Sequence, residues 1–310
     1  MSYKFAHKHL IDTDALSRAD IEAILDLADL YAKQNRSPNK KIDKFYGKTS
    51  VNLFFEDSTR TRTSFEIAAK RLGADVITIP LSQSSIKKGE TLLDTALTLD
   101  AMQIDTLIVR HRDEGVPDFI AKHVHAHVIN AGDGTHAHPT QALLDAMTIR
   151  KHKGKLDGLT VAICGDLSRS RVARSNIHLL KKFSAKIRVI APDYFMSDDY
   201  QNLGVEISKT LEQGIRDADA IIMLRIQHER PGLSFDFASR APEYISAYGL
   251  NHAKLKAAKS DVLVLHPGPT NRGVELTDEL ADDPKHSVIR EQVELGVAVR
   301  MAIIDLLMSQ

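Results

Sequence analysis

The sequence has 310 residues, 43% hydrophobic and 26% charged, with a formal net charge of zero and one cysteine, Cys164. That length suits one large α/β domain or two of about 150 residues. The neutral balance argues against a general nucleic-acid binder, the lone cysteine excludes an internal disulfide and a cysteine cage for a metal, and no apolar run is long enough to cross a bilayer. The N-terminal MSYKFAHKHLIDTD lacks the apolar core of a signal peptide, so a cytoplasmic protein is expected. Residues 17–31 read as an amphipathic helix: Ser17 and Asp20 fit a capping box, and Ile21, Ile24, Leu25, Ala28 and Tyr31 recur at helical spacing. Strand candidates follow at 49–55, 75–79, 106–110 and 127–131, then at 160–164, 187–191, 220–224 and 261–265, with helical patterns between them.

Such alternation predicts an α/β protein whose sheets are mainly parallel and flanked by helices. The polar stretch RKHKGKLDG, 150–158, separates the two sets of strands. It predicts two similar three-layer domains, 1–150 and 151–287. The dense polar clusters follow strands: EDSTRTR, HRDEG and GDGTHAHPTQ in the first half, GDLSRSR, RIQHER and HPGPTNRG in the second. Ligands of open α/β sheets bind at that carboxyl edge, so both halves are expected to face one cleft that holds the active site.

STRTR at 58–62 joins a strand to a helix that buries Phe65, Ala68, Ala69 and Leu72. A helix N-terminus offers unpaired N–H groups and partial positive charge. Ser58, Thr59, Thr61 and Thr63 add hydroxyls there, Arg60 and Arg62 add charge, and a guanidinium can grip two phosphate oxygens at once. A plain cap would need one hydroxyl, so the cluster predicts a phosphate site. HPTQALLD, 138–145, starts another helix with Pro139 at its first position. His138 and Gln141 could there face a ligand, the imidazole donating to a carbonyl oxygen that gains charge, although a simple helix start explains the same residues. Arg171, Arg225 and Gln227 follow strands of the second half and together suit a substrate with more than one carboxylate, although each alone could be surface. SQSSIKKGE, 82–90, is a polar loop with Lys87 and Lys88, a composition also usual for solvated surface.

Several familiar motifs fail on spacing. GKT at 47–49 precedes its strand and lacks the first glycine of a phosphate-binding loop; GDG at 132–134 and CGDLSRSR lack the glycines of a dinucleotide fingerprint. Histidines 123, 125, 127, 136 and 138 have no carboxylate or thiolate company of the kind a metal needs, so no metal and no cofactor is expected.

STRTR, KKGE, NAGDGTHAHPTQALLD, GDLSRSRVARSN, LRIQHER and HPGP, in this order and spacing, resemble the aspartate/ornithine carbamoyltransferase superfamily over essentially the whole chain. STRTR and HPTQ are common to the superfamily. LRxQ with HPGP points to the catalytic chain of its aspartate branch, whereas the ornithine branch typically carries an HCLP segment and a tryptophan-containing motif. This sequence has neither, and no tryptophan at all.

The resemblance implies transfer of the carbamoyl group of carbamoyl phosphate to the amine of L-aspartate, the committed step of pyrimidine synthesis. It implies that Ser58, Thr59, Arg60 and Thr61 hold the phosphate and that Arg110 bridges phosphate and carbonyl. Thr61, Arg110 and His138 would stabilise the carbonyl oxygen, and Gln141 would bind the carbamoyl amide. Arg171, Arg225 and Gln227 would take the aspartate carboxylates; Gly268 and Pro269 would supply backbone carbonyls across a cis bond. Ser85 (or Ser84, if the loop register shifts by one) and Lys88 would reach the site of a neighbouring chain in a homotrimer. A C-terminal helix at 288–310 would pack back onto the first domain. Regulatory chains or a dihydroorotase are possible partners; nucleic acid and membrane are not. Two other readings stay open at the level of sequence: a carbamoyltransferase for another amino acid such as ornithine, and a scaffold subunit without activity.

Overall fold

The computed structural model describes residues 3–79, 89–227 and 237–310. They form two compact units, Met1–Met147 with Val293–Gln310, and Thr148–Gln292.

In the first unit β1 (Thr49–Phe54), β2 (Asp75–Ile79), β3 (Thr106–His111) and β4 (His127–Asp133) form a parallel sheet in the order β2-β1-β3-β4. The helices are α1 (Arg18–Asn35), α2 (Thr59–Arg71), α3 (Leu92–Ala101), α4 (Val116–Ala121) and α5 (Pro139–Lys153). The central strands are buried on both faces, as parallel strands covered by helices are: on one face Val51, Leu53, Leu107, Val109 and Val128 pack with Ala96, Leu99 and Ile120, and on the other the buried Thr106 donates to Ser50 Oγ at 2.8 Å.

The second unit holds β5 (Thr160–Cys164), β6 (Lys186–Ile190), β7 (Glu206–Ser208), β8 (Ala220–Met223) and β9 (Leu263–Leu265), parallel, in the order β7-β6-β5-β8-β9. Its helices are α6 (Arg171–Lys181), α7 (Leu211–Ile215), α8 (Phe237–Tyr248), α9 (His252–Leu255) and α10 (Asp278–Ala281), and α11 (Ile289–Met308) ends the chain. The division between units falls inside α5 and α11. Strand β7 has no counterpart among the sequence expectations. It is a three-residue edge strand with two exposed positions, too short and too polar to show alternation. Among the described residues, no helix is long and apolar enough to cross a membrane.

Strand order locates the functional edge. Successive strands step to one side and then to the other, so order reverses between β1 and β3 and again between β5 and β8. At such a point the two following loops diverge and leave a crevice beyond the strand ends.

Helix α1 starts as its sequence predicts. Ser17 caps it by accepting from Asp20 N at 3.1 Å, and the Asp20 carboxylate takes Ser17 N at 2.7 Å. Tyr3 OH and His7 Nε2 also bond that carboxylate, tying the N-terminal segment to the helix. Burial pushes the Asp20 carboxyl up, but hydrogen bonds from Ser17, Tyr3 and His7 outweigh it and hold the group at about 2. A depressed folded-state pKa gives stability that is present above the unfolded value and lost as pH falls through the folded one. Asp20→Asn should therefore lose up to about 2 kcal/mol near pH 7. Urea midpoints of the two proteins should converge as pH approaches about 2. A constant gap across that range would remove the Asp20 charge from the account.

Candidate active site

The first unit gathers its candidate residues beyond β1, β3 and β4. Ser58 stands at the N-cap of α2, yet its hydroxyl makes no capping bond. The first-turn N–H groups therefore keep their affinity for an anion. Thr59 and Arg60 are exposed on that turn, while Thr61 is buried at 8% exposure. Arg110 lies near the end of β3, next to β1 across the reversal point. Its Nη1 donates to Ala131 O at 3.1 Å, and its Nε stands 3.1 Å from Glu56 Oε2, so the guanidinium joins the ends of β1, β3 and β4.

His138 ends the loop from β4 into α5, and a buried carboxylate shapes that loop. Asp133 accepts from Gly115 N (2.8 Å), Asn130 Nδ2 (2.8 Å) and Ala137 N (3.1 Å), and bonds His136 Nδ1 at 3.0 Å. Burial raises the Asp133 carboxyl, and the bonds from His136, Asn130 and Gly115 overcome this to leave it below the usual range. The backbone carbonyl of His138 receives Gln141 N at 3.0 Å and so starts α5 at Pro139. His138 is 5% exposed and Gln141 8%. Gln141 donates to the fully buried Asp145 Oδ1 at 2.8 Å, which fixes the amide orientation. Beneath these helices, Arg300 of α11 lies 5.0 Å from the Phe65 ring of α2 and donates to Thr140 Oγ1 of α5 at 3.3 Å. Burial lowers the Arg300 guanidinium to about 10. It stays charged at neutral pH and links the middle of α2 to the first turn of α5.

In the second unit the ends of β5 and β8 converge. Gly165 has φ +130°, and a Cβ there would meet Leu224 O at 2.8 Å, so only glycine permits this approach. Asp166, fully buried, holds Arg169 Nη2 at 2.6 Å and accepts from Ser168 Oγ at 3.1 Å. Gln227 Nε2 donates to Arg169 O at 3.3 Å, linking the loop after β8 to the loop after β5. Ser170 caps α6 through Ala173 N at 3.0 Å, which sets Arg171, 5% exposed, at the first helical position. Arg171, Arg225 and Gln227 thus flank the second reversal point. Gly268 and Pro269 follow β9, and the bond between them is cis. Ser84, Ser85 and Lys88 lie outside the described residues.

Sequence reasoning passed over Glu56, Asp133, Asp145 and Asp166. Each is an acidic residue in or beside a quoted motif; Glu56 meets Arg110 from another strand end, whereas Asp133, Asp145 and Asp166 take most of their partners from within four residues. The signal available was a carboxylate inside a loop otherwise built to bind anions, where an unpaired one would be unfavourable. Burial pushes the Cys164 thiol up to about 12, so it packs as a small apolar group. Among the described residues no three His, Cys, Asp or Glu side chains form a cluster able to hold a metal.

Fold and site together define an α/β protein of two parallel-sheet units, each placing cationic and polar side chains at the carboxyl edge of its sheet. The family profile "Aspartate/ornithine carbamoyltransferase, carbamoyl-P binding domain" matches residues 8–151, and "Aspartate/ornithine carbamoyltransferase, Asp/Orn binding domain" matches residues 157–307. The chain belongs to the aspartate/ornithine carbamoyltransferase family. It is 56% identical over 303 residues to an aspartate carbamoyltransferase catalytic subunit of Rhodospirillum centenum, covering 98% of this chain and 95% of the relative. The corresponding subunit of Granulibacter bethesdensis is 55% identical over 306 residues, covering 99% and 96%. Among solved structures, aspartate transcarbamoylase from Trypanosoma cruzi in complex with carbamoyl phosphate superposes with a TM-score of 0.86 at 34% identity, covering 96% of this chain and 95% of that one. The same enzyme in complex with N-(phosphonacetyl)-L-aspartic acid gives 0.86 at 33%.

Proposed function

We infer that this chain is a catalytic aspartate carbamoyltransferase: it transfers the carbamoyl group of carbamoyl phosphate to the amine of L-aspartate, releasing phosphate. The observation that carries this reading is the arrangement of cationic and hydroxyl groups around both strand-order reversals, in a family member more than half identical to catalytic subunits of that name.

The chemistry follows from the groups present. The aspartate amine attacks the carbamoyl carbon, a C–N bond forms, and the carbonyl oxygen takes up negative charge. The C–O bond to phosphate then breaks, its electron pair leaves with the phosphate, and the amine gives up a proton. No covalent nucleophile is required, so rate enhancement rests on orientation and on stabilising the oxyanion. In this reading the first unit binds carbamoyl phosphate. Ser58, Thr59, Arg60 and Thr61 hold the phosphate, Arg110 spans phosphate and carbonyl, and His138 with Thr61 donates to the developing oxyanion. Gln141, oriented by Asp145, recognises the carbamoyl amide. The second unit binds aspartate through Arg171, Arg225 and Gln227, and Gly268 and Pro269 contribute carbonyls to the carbamoyl group. The reading extends to a place in pyrimidine biosynthesis, to the cytoplasm, and to a homotrimer in which Ser85 and Lys88 of the partner subunit complete each site.

Calorimetric titration with N-(phosphonacetyl)-L-aspartate tests it. Tight binding of one analogue per chain, with carbamoyl aspartate formed from carbamoyl phosphate and aspartate, is the expected result. Turnover of another amine with aspartate inert would overturn the assignment.

A further inference from the structure

The loop bearing Arg225 and Gln227 and the turn bearing Gly268 and Pro269 leave neighbouring strands, β8 and β9. Strand pairing fixes the ends of those strands and nothing beyond. Backbone that far out needs partners of its own to hold one conformation.

Glu275 supplies them. Its side chain is fully buried. Oε1 accepts from Ile226 N at 2.8 Å and from Asn271 Nδ2 at 2.7 Å, and Oε2 accepts from Asn271 N at 2.8 Å. Asn271 Nδ2 also donates to Ile226 O at 3.1 Å, so both backbone groups of Ile226 are held by this pair. Ile226 is the residue between Arg225 and Gln227. On the other side, His266 stands with Nε2 3.8 Å from Glu275 Oε2. His266 Nδ1 accepts from Gly268 N at 2.9 Å, which puts the ring proton on Nε2, toward the carboxylate. His266 N in turn donates to Gln292 Oε1 at 2.9 Å. One buried carboxylate therefore fixes the backbone between two side chains assigned to aspartate and faces the imidazole that holds the Gly268–Pro269 turn.

We propose that Glu275 is a positioning residue for the amino-acid half of the reaction: it sets the spacing of Arg225 and Gln227 by gripping Ile226, and couples that loop to the Gly268–Pro269 turn through Asn271 and His266. The proposal rests on the reading of this chain as an aspartate carbamoyltransferase. A buried carboxylate used only for stability would need no partners in these two loops. Here all its hydrogen bonds come from the loop after β8 and the turn after β9.

Glu275→Gln is the informative variant, because it keeps shape and one oxygen but sets an NH2 against Asn271 N–H and His266. It is measured beside Asn271→Ala, which removes Asn271 Nδ2 from the grip on Ile226 and leaves the carboxylate in place. A displacement of about 1 Å at the reacting groups costs on the order of a hundredfold. Glu275→Gln should accordingly raise KM for aspartate by roughly tenfold to a hundredfold. Asn271→Ala should raise it less, and in both variants calorimetric affinity for carbamoyl phosphate should fall by a clearly smaller factor than that for aspartate, because, in these two loops, only the carbonyls of Gly268 and Pro269 are assigned to that substrate. An unchanged KM for aspartate in folded Glu275→Gln, or an equal loss of both substrates, overturns the proposal. If that variant does not fold, Asn271→Ala decides by the same criteria. A wild-type enzyme that binds carbamoyl phosphate but does not turn over aspartate would instead overturn the functional reading beneath.

Discussion

His138→Ala is expected to lower kcat by about 10²–10³ with the fold intact, the loss that follows removal of one donor to an oxyanion. The structure explains why the fold should survive. The start of α5 depends on the backbone carbonyl of residue 138, which receives Gln141 N at 3.0 Å and Ala142 N at 3.3 Å, and alanine retains that carbonyl. The preceding loop is organised by Asp133 through Ala137 N, Gly115 N and Asn130 Nδ2, none of which the substitution touches. What is removed is an imidazole at 5% exposure, beside a helix start whose own N–H groups favour negative charge. Binding of carbamoyl phosphate in its ground state should change little, because its carbonyl carries only partial charge before attack. Single-turnover rates together with calorimetric affinity check this. Near-normal turnover in a folded variant would take His138 out of the mechanism.

Arg60→Ala and Lys88→Ala are each expected to leave almost no activity as pure proteins, and to regain it when dissociated and reassembled together. Arg60 is exposed on the first turn of α2, where it can meet a phosphate bound at the helix N-terminus. In the proposed reading, Lys88 reaches the site of an adjoining subunit in a homotrimer. In a closed ring of three, a hybrid trimer contains one site with an intact Arg60 from its own chain and an intact Lys88 of the partner subunit. A random one-to-one mixture should then reach about a quarter of wild-type activity. A mixture no more active than its parents, with hybrid trimers confirmed by mass, would show that Lys88 acts within its own chain or not at all.

The sequence by itself determined the class of fold and singled out the candidate site residues. The run TVAIC is apolar on successive positions because a central parallel strand is covered on both faces, and the structure has a strand at Thr160–Cys164 that is buried from Val161 onward; DVITI also forms a strand, Asp75–Ile79, but at the sheet edge with Ile77 half exposed. Ser17, Pro139 and the hydroxyl-rich turn at 58–63 marked helix starts because capping and anion binding are local: they depend on side chains within three or four residues of the turn. Strand ends were less legible. Asp261 and Val262 look like strand, but Val262 N turns back to Lys259 O at 3.0 Å, and β9 begins only at Leu263.

Only the tertiary structure decided strand order, and with it which loops share an edge. Pairing of β1 with β3 and of β5 with β8 joins segments 50 or more residues apart, and no local pattern encodes which parallel strands become neighbours. Two supporting carboxylates were hidden for a related reason: Glu56 meets Arg110 and Glu275 meets the backbone of Ile226, both far away in sequence. Asp166 meets Arg169 three residues on, and only its approach to Gln227 N depends on distant chain. In sequence each reads as an ordinary polar residue of a loop. An acidic side chain becomes a fixed partner only when folding has removed the water around it and brought donors from elsewhere in the chain to both of its oxygens.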